Sequence, residues 1–154
     1  MRSTDVSWSA PSAGALLTID LAALAANWRL LKTRVRGDCG AVVKANAYGL
    51  GLAPVVSALK AAGCRTFYVA HLDEGLAARA ALGPDPRIVV MHGLYAGTEH
   101  TAAQARLVPV LNSPPQIARW AAFCRGEDFL GECVVHVDTG MNRLGLTPAE
   151  FNAL

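Results

Sequence analysis

The chain has 154 residues, 53% hydrophobic and 17% charged, with a mean hydropathy of +0.30; this excludes a disordered or fibrous polypeptide and allows a real core. Its 14 basic and 12 acidic residues leave a formal net charge of +2, too balanced for a nucleic-acid footprint or an anionic membrane surface. A small-molecule enzyme or a neutral interaction domain remains.

In chain order, residues 1–15 form a Ser- and Ala-rich tail with no basic segment followed by an apolar core, so no secretory leader is expected. The apolar stretch 15–24 is broken by Asp20 and is too short to span a bilayer, which favours a cytoplasmic protein. Residues 16–19 predict a short strand. Asp20 then caps a helix with Leu21, Leu24, Trp28, Leu31 and Val35 at helical spacing, ended by Gly37. The apolar run 41–43 leads to Lys44 and a turn through Gly49 and Gly51. Pro54 suits the first turn of a second helix, with Val55, Val56, Leu59 and Ala62 on its apolar face and Gly63 at its end. The pattern repeats with a strand at 67–70, a helix at 73–82, a strand at 88–91 and an Ala-rich helix near 98–105. A strand at 108–111 precedes a helix capped by Ser113 with Pro114 at its first position, turning Ile117, Trp120, Ala121 and Cys124 inward. A fifth strand is expected at 133–137, and Thr147-Pro148-Ala149-Glu150 is a capping box.

Short apolar strands alternating with helices indicate parallel α/β units whose strands are covered on both faces. A doubly wound sheet and a (β/α)8 TIM-type barrel compete. No G-x-G-x-x-G follows the first strand, which weakens the dinucleotide-binding version. Because a closed barrel needs roughly 250 residues, the expected fold is an incomplete barrel of five β/α units, with residues 1–15 a tail and 16–154 one partial domain. Cys39, Cys64, Cys124 and Cys133 form no C-x-x-C pair and have no histidine at zinc-finger spacing, so reduced thiols and no metal site are expected.

The stretch 41–51 reads AVVKANAYGLG. An ammonium directly after a buried strand loses hydration, and lysines so placed form Schiff bases through the neutral amine. Strand C-termini are where barrel enzymes project reactive groups, although a lysine there could equally snorkel out of the mouth. Gly49 and Gly51 allow close backbone approach, Tyr48 sits one helical turn from Lys44, and free N–H groups at the start of the Pro54 helix could help hold an anion. The segment resembles the pyridoxal-phosphate (PLP) lysine signature of the alanine racemases, V-x-K-A-N-A-Y-G-H-G, at Val42, Lys44, Ala45, Asn46, Ala47, Tyr48, Gly49 and Gly51. Leu50 replaces the histidine of many members. The resemblance implies that Lys44 holds pyridoxal 5'-phosphate covalently through its aldehyde and moves a proton, and that Tyr48 donates a hydrogen bond to the cofactor phosphate.

The stretch 136–145, HVDTGMNRLG, reads by itself as a strand followed by a polar turn with one arginine. A guanidinium there is either a surface charge or a fork for a carboxylate or oxyanion. It is similar to a second signature of the same family, V-D-T-G-M-x-R-L-G, at 137–145. That likeness implies that Arg143 binds both the PLP 3-hydroxyl and the substrate carboxylate. Some members have a carbamylated lysine at the position of His136, where it orients the arginine. Here His136, an anion or another side chain must do so, or His136 is simply a core residue.

The implied activity is PLP-dependent interconversion of L- and D-alanine, supplying D-alanine for peptidoglycan, by a homodimer with no nucleic-acid or membrane partner. Racemisation needs a base on each face. In the family these are the lysine and a tyrosine from the partner's C-terminal β-domain, so this stretch alone is not expected to racemise alanine. Racemases of broader range, D-threonine aldolases and small PLP-carrier proteins share this chemistry, and a non-catalytic PLP-binding module stays open. Asp73 and Glu74 read as helix caps near His71, not a metal set; His92 and His100 have no evident partner. Trp8, Trp28 and Trp120 read as core or interface anchors.

Overall fold

The computed structural model describes residues 14–154; the tail to residue 13, including Trp8, lies outside them. Five short strands, β1 (Ala41–Val42), β2 (Thr66–Val69), β3 (Arg87–Val90), β4 (Leu107–Leu111) and β5 (Val134–Val135), pair side by side in the order β1-β2-β3-β4-β5. Every pairing is parallel. A doubly wound sheet reverses its strand order partway; this one never does, which decides for the singly wound barrel arrangement, here five strands without closure.

The register sorts side chains onto two faces. Ala41, Phe67, Ile88 and Leu107 lie abreast and belong to a core shared with the helices. Their neighbours Tyr68, Val89 and Val108, one residue on, form a second cluster with Val110 and Val134 that contains strand residues alone. That cluster is the concave, barrel-interior face. Phe67, Ile88 and Val56 are fully buried, each worth about 1.5–3 kcal/mol of transfer energy.

The helices are α1 (Leu21–Lys32), α2 (Lys44–Tyr48), α3 (Leu52–Ala62), α4 (Leu72–Leu82), α5 (Glu99–Gln104), α6 (Pro114–Gly126) and α7 (Pro148–Asn152). Asp20 caps α1 by accepting from the Ala23 amide at 2.9 Å. Gly63 ends α3 with φ +108°, its Cα facing the Trp28 ring. Thr147 and Glu150 close the expected capping box. Beneath the sheet, the Arg79 guanidinium donates to the carbonyls of Ala105, Gly83, Pro86 and Arg106 at 2.7–2.8 Å, tying α4 to the turns around β3 and β4.

Several expectations need correction. Residues 16–19 make no strand: among the described residues nothing pairs with them, and Leu16 and Leu17 are 75% and 78% exposed. The first helix stops at Lys32 rather than near Gly37, because Thr33 closes it and Lys32 Nζ instead donates to the Gly37 carbonyl at 2.6 Å. Val35 is exposed in consequence. The fifth strand contracts to two residues plus a bridge between Val137 and Leu146. Ser113 occupies the N-cap of α6 without a side-chain bond; Gln116 Oε1 accepts from the preceding Asn112 amide instead. All four cysteines are free thiols, and burial pushes Cys64 up to about 11. Among the described residues no helix is long and apolar enough to cross a membrane.

Candidate active site

Directly after β1 the backbone does something that L-residues avoid. Ala45, Asn46, Ala47 and Tyr48 all have φ between +53° and +55°, so α2 is a left-handed turn in its interior. Left-handed helical geometry costs about 1–2 kcal/mol for each residue bearing a Cβ, and such strain survives only where the surroundings over-determine it. The restraints are identifiable. The Ala45 amide donates to Glu74 Oε1 at 2.7 Å, Asn46 Oδ1 accepts from the Leu52 amide at 2.7 Å, and Ala47 is buried at 2% exposure. Glu74 Oε2 also accepts from the amides of Ala70 (2.7 Å) and His71 (3.3 Å). One carboxylate thus joins the turn, the end of β2 and the start of α4. Burial alone would push Glu74 up, but those three N–H donors together with His71 outweigh it and hold the carboxyl below its ordinary value. Of the N–H groups at the start of α3, that of Leu52 is taken by Asn46.

Lys44 leaves this strained turn on the concave side and lines a cavity of about 340 Å³. The floor is apolar, from Val89, Val110, Val134 and Met91, and Tyr68 lies beside it. Arg143, His136 and His92 complete the polar lining. The structure therefore brings Lys44 and Arg143, 99 residues apart in sequence, to one pocket at the C-terminal ends of the strands. Tyr48 is 62% exposed and is absent from the lining of that cavity.

Arg143 rides on a loop that closes upon itself. The Leu146 amide donates to the His136 carbonyl at 2.8 Å, and the Asp138 amide to the Leu146 carbonyl at 2.9 Å. The Asp138 carboxylate accepts from the amides of Gly140 and Asn142, and these bonds hold it below the usual carboxylate range. Hence both acids near the mouth, Glu74 and Asp138, are engaged with backbone donors. Among the described residues Lys44 and Arg143 have no acidic partner; the ion pairs there are Arg87–Glu132 and Arg119–Glu99.

Two residues that the sequence left without a role are at this mouth. His71 and His92 meet edge-on with ring centroids 4.5 Å apart. Burial, then the positive fields of His71, Arg143 and Lys44, push His92 below 6.5. No sequence signal marks it beyond its place after β3, where strand ends project. His100 finds Gln104 one turn along α5, at 2.9 Å. His71, Asp73 and Glu74 do not converge, because Glu74 turns to the backbone and His71 to His92.

Uncompensated cations over an apolar floor suit a flat, anionic, aromatic ligand. The amine of Lys44 suits an aldehyde on it, so the donor set fits a phosphorylated pyridine aldehyde. The family described as "Alanine racemase, N-terminal domain" matches residues 19–154. An alanine racemase of Rhodospirillum rubrum is 53% identical over 144 residues, 92% of this chain and 38% of that one. The crystal structure of alanine racemase from Bartonella henselae with covalently bound pyridoxal phosphate superposes with a TM-score of 0.84 at 40% identity, over 88% of this chain and 40% of that one. A histidine racemase from Leuconostoc mesenteroides reaches a TM-score of 0.78 at 27% identity, over 86% of this chain and 36% of its own. The chain thus spans about two-fifths of the length of the relatives it matches.

Proposed function

This chain belongs to the family of alanine racemase N-terminal domains, and from that premise we propose that it is the cofactor-binding part of a PLP-dependent alanine racemase. Residues 16–154 act in this reading as one part-barrel domain. The observation that carries the reading is the convergence of Lys44 and Arg143 on one cavity whose neighbouring acids are already engaged.

Lys44 would hold the cofactor through its amine, and Arg143 would grip the cofactor's ring oxygen and the amino-acid carboxylate. Tyr48, exposed and outside the lining of the cavity, is proposed for the phosphate. When bound, PLP supplies an electron sink for the charge left at Cα. Lys44 Nζ takes or returns the proton on one face; the opposite face needs a second base, proposed to be a tyrosine of a partner subunit in a homodimer. The left-handed turn fixes where Nζ starts from, and the valines of the floor would give the bound ring an apolar seat. A cytoplasmic role supplying D-alanine for peptidoglycan follows as part of the same proposal.

The test is reduction with borohydride after addition of PLP. The expected result is a stable cofactor mass on the peptide containing Lys44, absent in Lys44→Ala; labelling elsewhere would refute the assignment. Assaying the full-length protein on alanine beside serine, lysine and histidine tests substrate choice, since a fold neighbour is a histidine racemase. A preference for a substrate other than alanine would overturn the alanine part alone.

A further inference from the structure

His71 and His92 stand abreast at the ends of neighbouring strands. Val69 of β2 pairs with Val90 of β3, and each histidine follows two residues on. The ladder continues there through the His92 amide, which donates to the Ala70 carbonyl at 3.0 Å. Both backbones are held from other sides as well. The His92 carbonyl accepts from Gln116 Nε2 at 3.2 Å, the His71 carbonyl accepts from the Gly75 amide at 3.1 Å, and the His71 amide is tied to Glu74. Only the side-chain torsions stay free, and both residues are exposed. Of the other histidines, His100 pairs with Gln104 and His136 with Asn112. His71 and His92 meet each other, with ring centroids 4.5 Å apart and planes at 81°.

That spacing is one that two imidazoles take on a single ion. Metal–nitrogen bonds of about 2.0–2.1 Å put each ring centroid about 3.2 Å from the metal. Two such centroids lie about 4.5 Å apart when the rings subtend a right angle at the ion, and about 5.2 Å apart at the tetrahedral angle. The observed value is that of the right angle, which Cu²⁺ and Ni²⁺ favour. Edge-on aromatic packing has the same spacing, but exposed imidazoles bring lone pairs that phenyl rings lack. Burial and nearby cations disfavour a proton on His92, so its lone pair is open to a metal near neutral pH. Among the described residues no set of three or more ligands gathers, so solvent would complete the coordination of a two-ring site. His92 lines the Lys44 cavity, and His71 lines an adjoining one of about 420 Å³ with Asp73, Glu74 and Tyr95. Lys44 and Arg143 act against a cation from one side, while Asp73 and Glu74 act for it from the other. Mg²⁺ and Ca²⁺ are excluded by donor type, since they take oxygen ligands.

We propose that His71 and His92 chelate one divalent late-transition-metal cation, Cu²⁺ or Ni²⁺ ahead of Zn²⁺, on the partition between the Lys44 cavity and its acidic neighbour. The site uses neither Lys44 nor Arg143 and stands whether or not Lys44 binds PLP. Neutral rings are the ligands, so protons compete, and binding weakens as the pH falls through the histidine range.

The experiment uses the untagged protein at its native length, with reduced thiols and ¹⁵N-labelled histidine, free of cofactor and of chelating buffer. Titrated Ni²⁺ is expected to broaden the ring signals of His71 and His92 together within one equivalent, before those of His100. By calorimetry, His71→Ala and His92→Ala should each weaken Ni²⁺ binding at least about tenfold, whereas His100→Gln should not, and Zn²⁺ should bind more weakly than Ni²⁺. Cu²⁺ gives a reading that needs no variant: its electron spin-echo spectrum should show two equatorial imidazoles. The proposal is overturned if the two rings broaden independently, or if either alanine variant keeps native affinity. A thiolate-to-metal absorption band at the first equivalent, or Zn²⁺ binding tighter than Ni²⁺, overturns it equally. Borohydride labelling of Lys44 decides the cofactor reading separately, since none of these signals depends on PLP.

Discussion

Glu74→Gln removes a charge while keeping size and shape, and the geometry says it should behave almost like a deletion. Each carboxylate oxygen accepts from the backbone on its own side: Oε1 from Ala45, Oε2 from Ala70 and His71. A glutamine has one acceptor and one NH2, so in either orientation one of these sides meets a donor facing a donor. Hydrogen bonds to a charged acceptor contribute about 1.5–3 kcal/mol each. The Ala45 bond is exposed to water and contributes at the low end; the Ala70 amide belongs to a buried residue. The expected loss is therefore about 2–3 kcal/mol for Glu74→Gln, no smaller than for Glu74→Ala, measured as a lowered urea midpoint at unchanged slope. Amide exchange of Ala45 and Ala47 should accelerate beyond the global change, because the strained turn loses its tie to α4. A Glu74→Gln protein within about 0.5 kcal/mol of the parent, with Ala45 still protected, would refute the claim that this carboxylate holds the turn.

The same contact fixes a pH dependence. The folded Glu74 carboxyl lies below 4.5, so its contribution is complete above that unfolded value and is lost as the pH falls through the folded one. Asp138 is lowered in the same direction by its own loop. Acid should therefore loosen the Lys44 turn and the Arg143 loop together, read as a loss of protection, relative to intrinsic exchange at each pH, of the Ala45, Gly140 and Asn142 amides before global unfolding, and Glu74→Ala should remove the first of these steps. Arg79→Lys should cost roughly 2–3 kcal/mol in denaturant, because one ammonium cannot reach four carbonyls that the planar fork serves at once; a loss under about 0.5 kcal/mol would contradict that account. Gly145→Ala must move backbone, with φ +101° and only 2.8 Å to the Asp138 nitrogen. It should destabilise by roughly 1–3 kcal/mol, and it should disturb the His136 ring signals, which a remote effect would leave alone.

The fold was legible wherever burial and periodicity coincide. β2, β3 and β4 were predicted within a residue or two, since their residues are covered on both sides and leave an unbroken apolar run. Strand order is the part that patterning could not supply: alternating strands and helices suit a wound sheet and a barrel equally, and only the pairing of each strand with its sequence neighbours separates them. The expected strand at 16–19 has the composition of a strand but no partner among the described residues, and a strand without a partner has nowhere to place its hydrogen bonds. Helix α1 shows the opposite failure. Its apolar spacing runs on to Val35, yet the Lys32 ammonium finds the Gly37 carbonyl and the chain turns away.

At the site, the residues with reactive heads could be read from their motifs, and the residues that aim them could not. Lys44 and Arg143 stand out because the segments around them match family signatures; by position alone each could be a surface charge. Glu74 looks like an ordinary acid in a first helical turn, and it is one: it accepts from the His71 amide as a cap should. Nothing in sequence spacing says that the same carboxylate also reaches Ala45, 29 residues earlier. Asn112 is similar, an amide after a strand whose partners at Met91, Val110 and His136 come from three different elements. Such residues act on backbone donors and on a ring's proton, and those bonds exist only once the sheet has formed. A left-handed turn of Ala, Asn, Ala and Tyr is invisible for the same reason: local preference argues against it, and it stands because Glu74, Asn46 and the burial of Ala47 outweigh that preference.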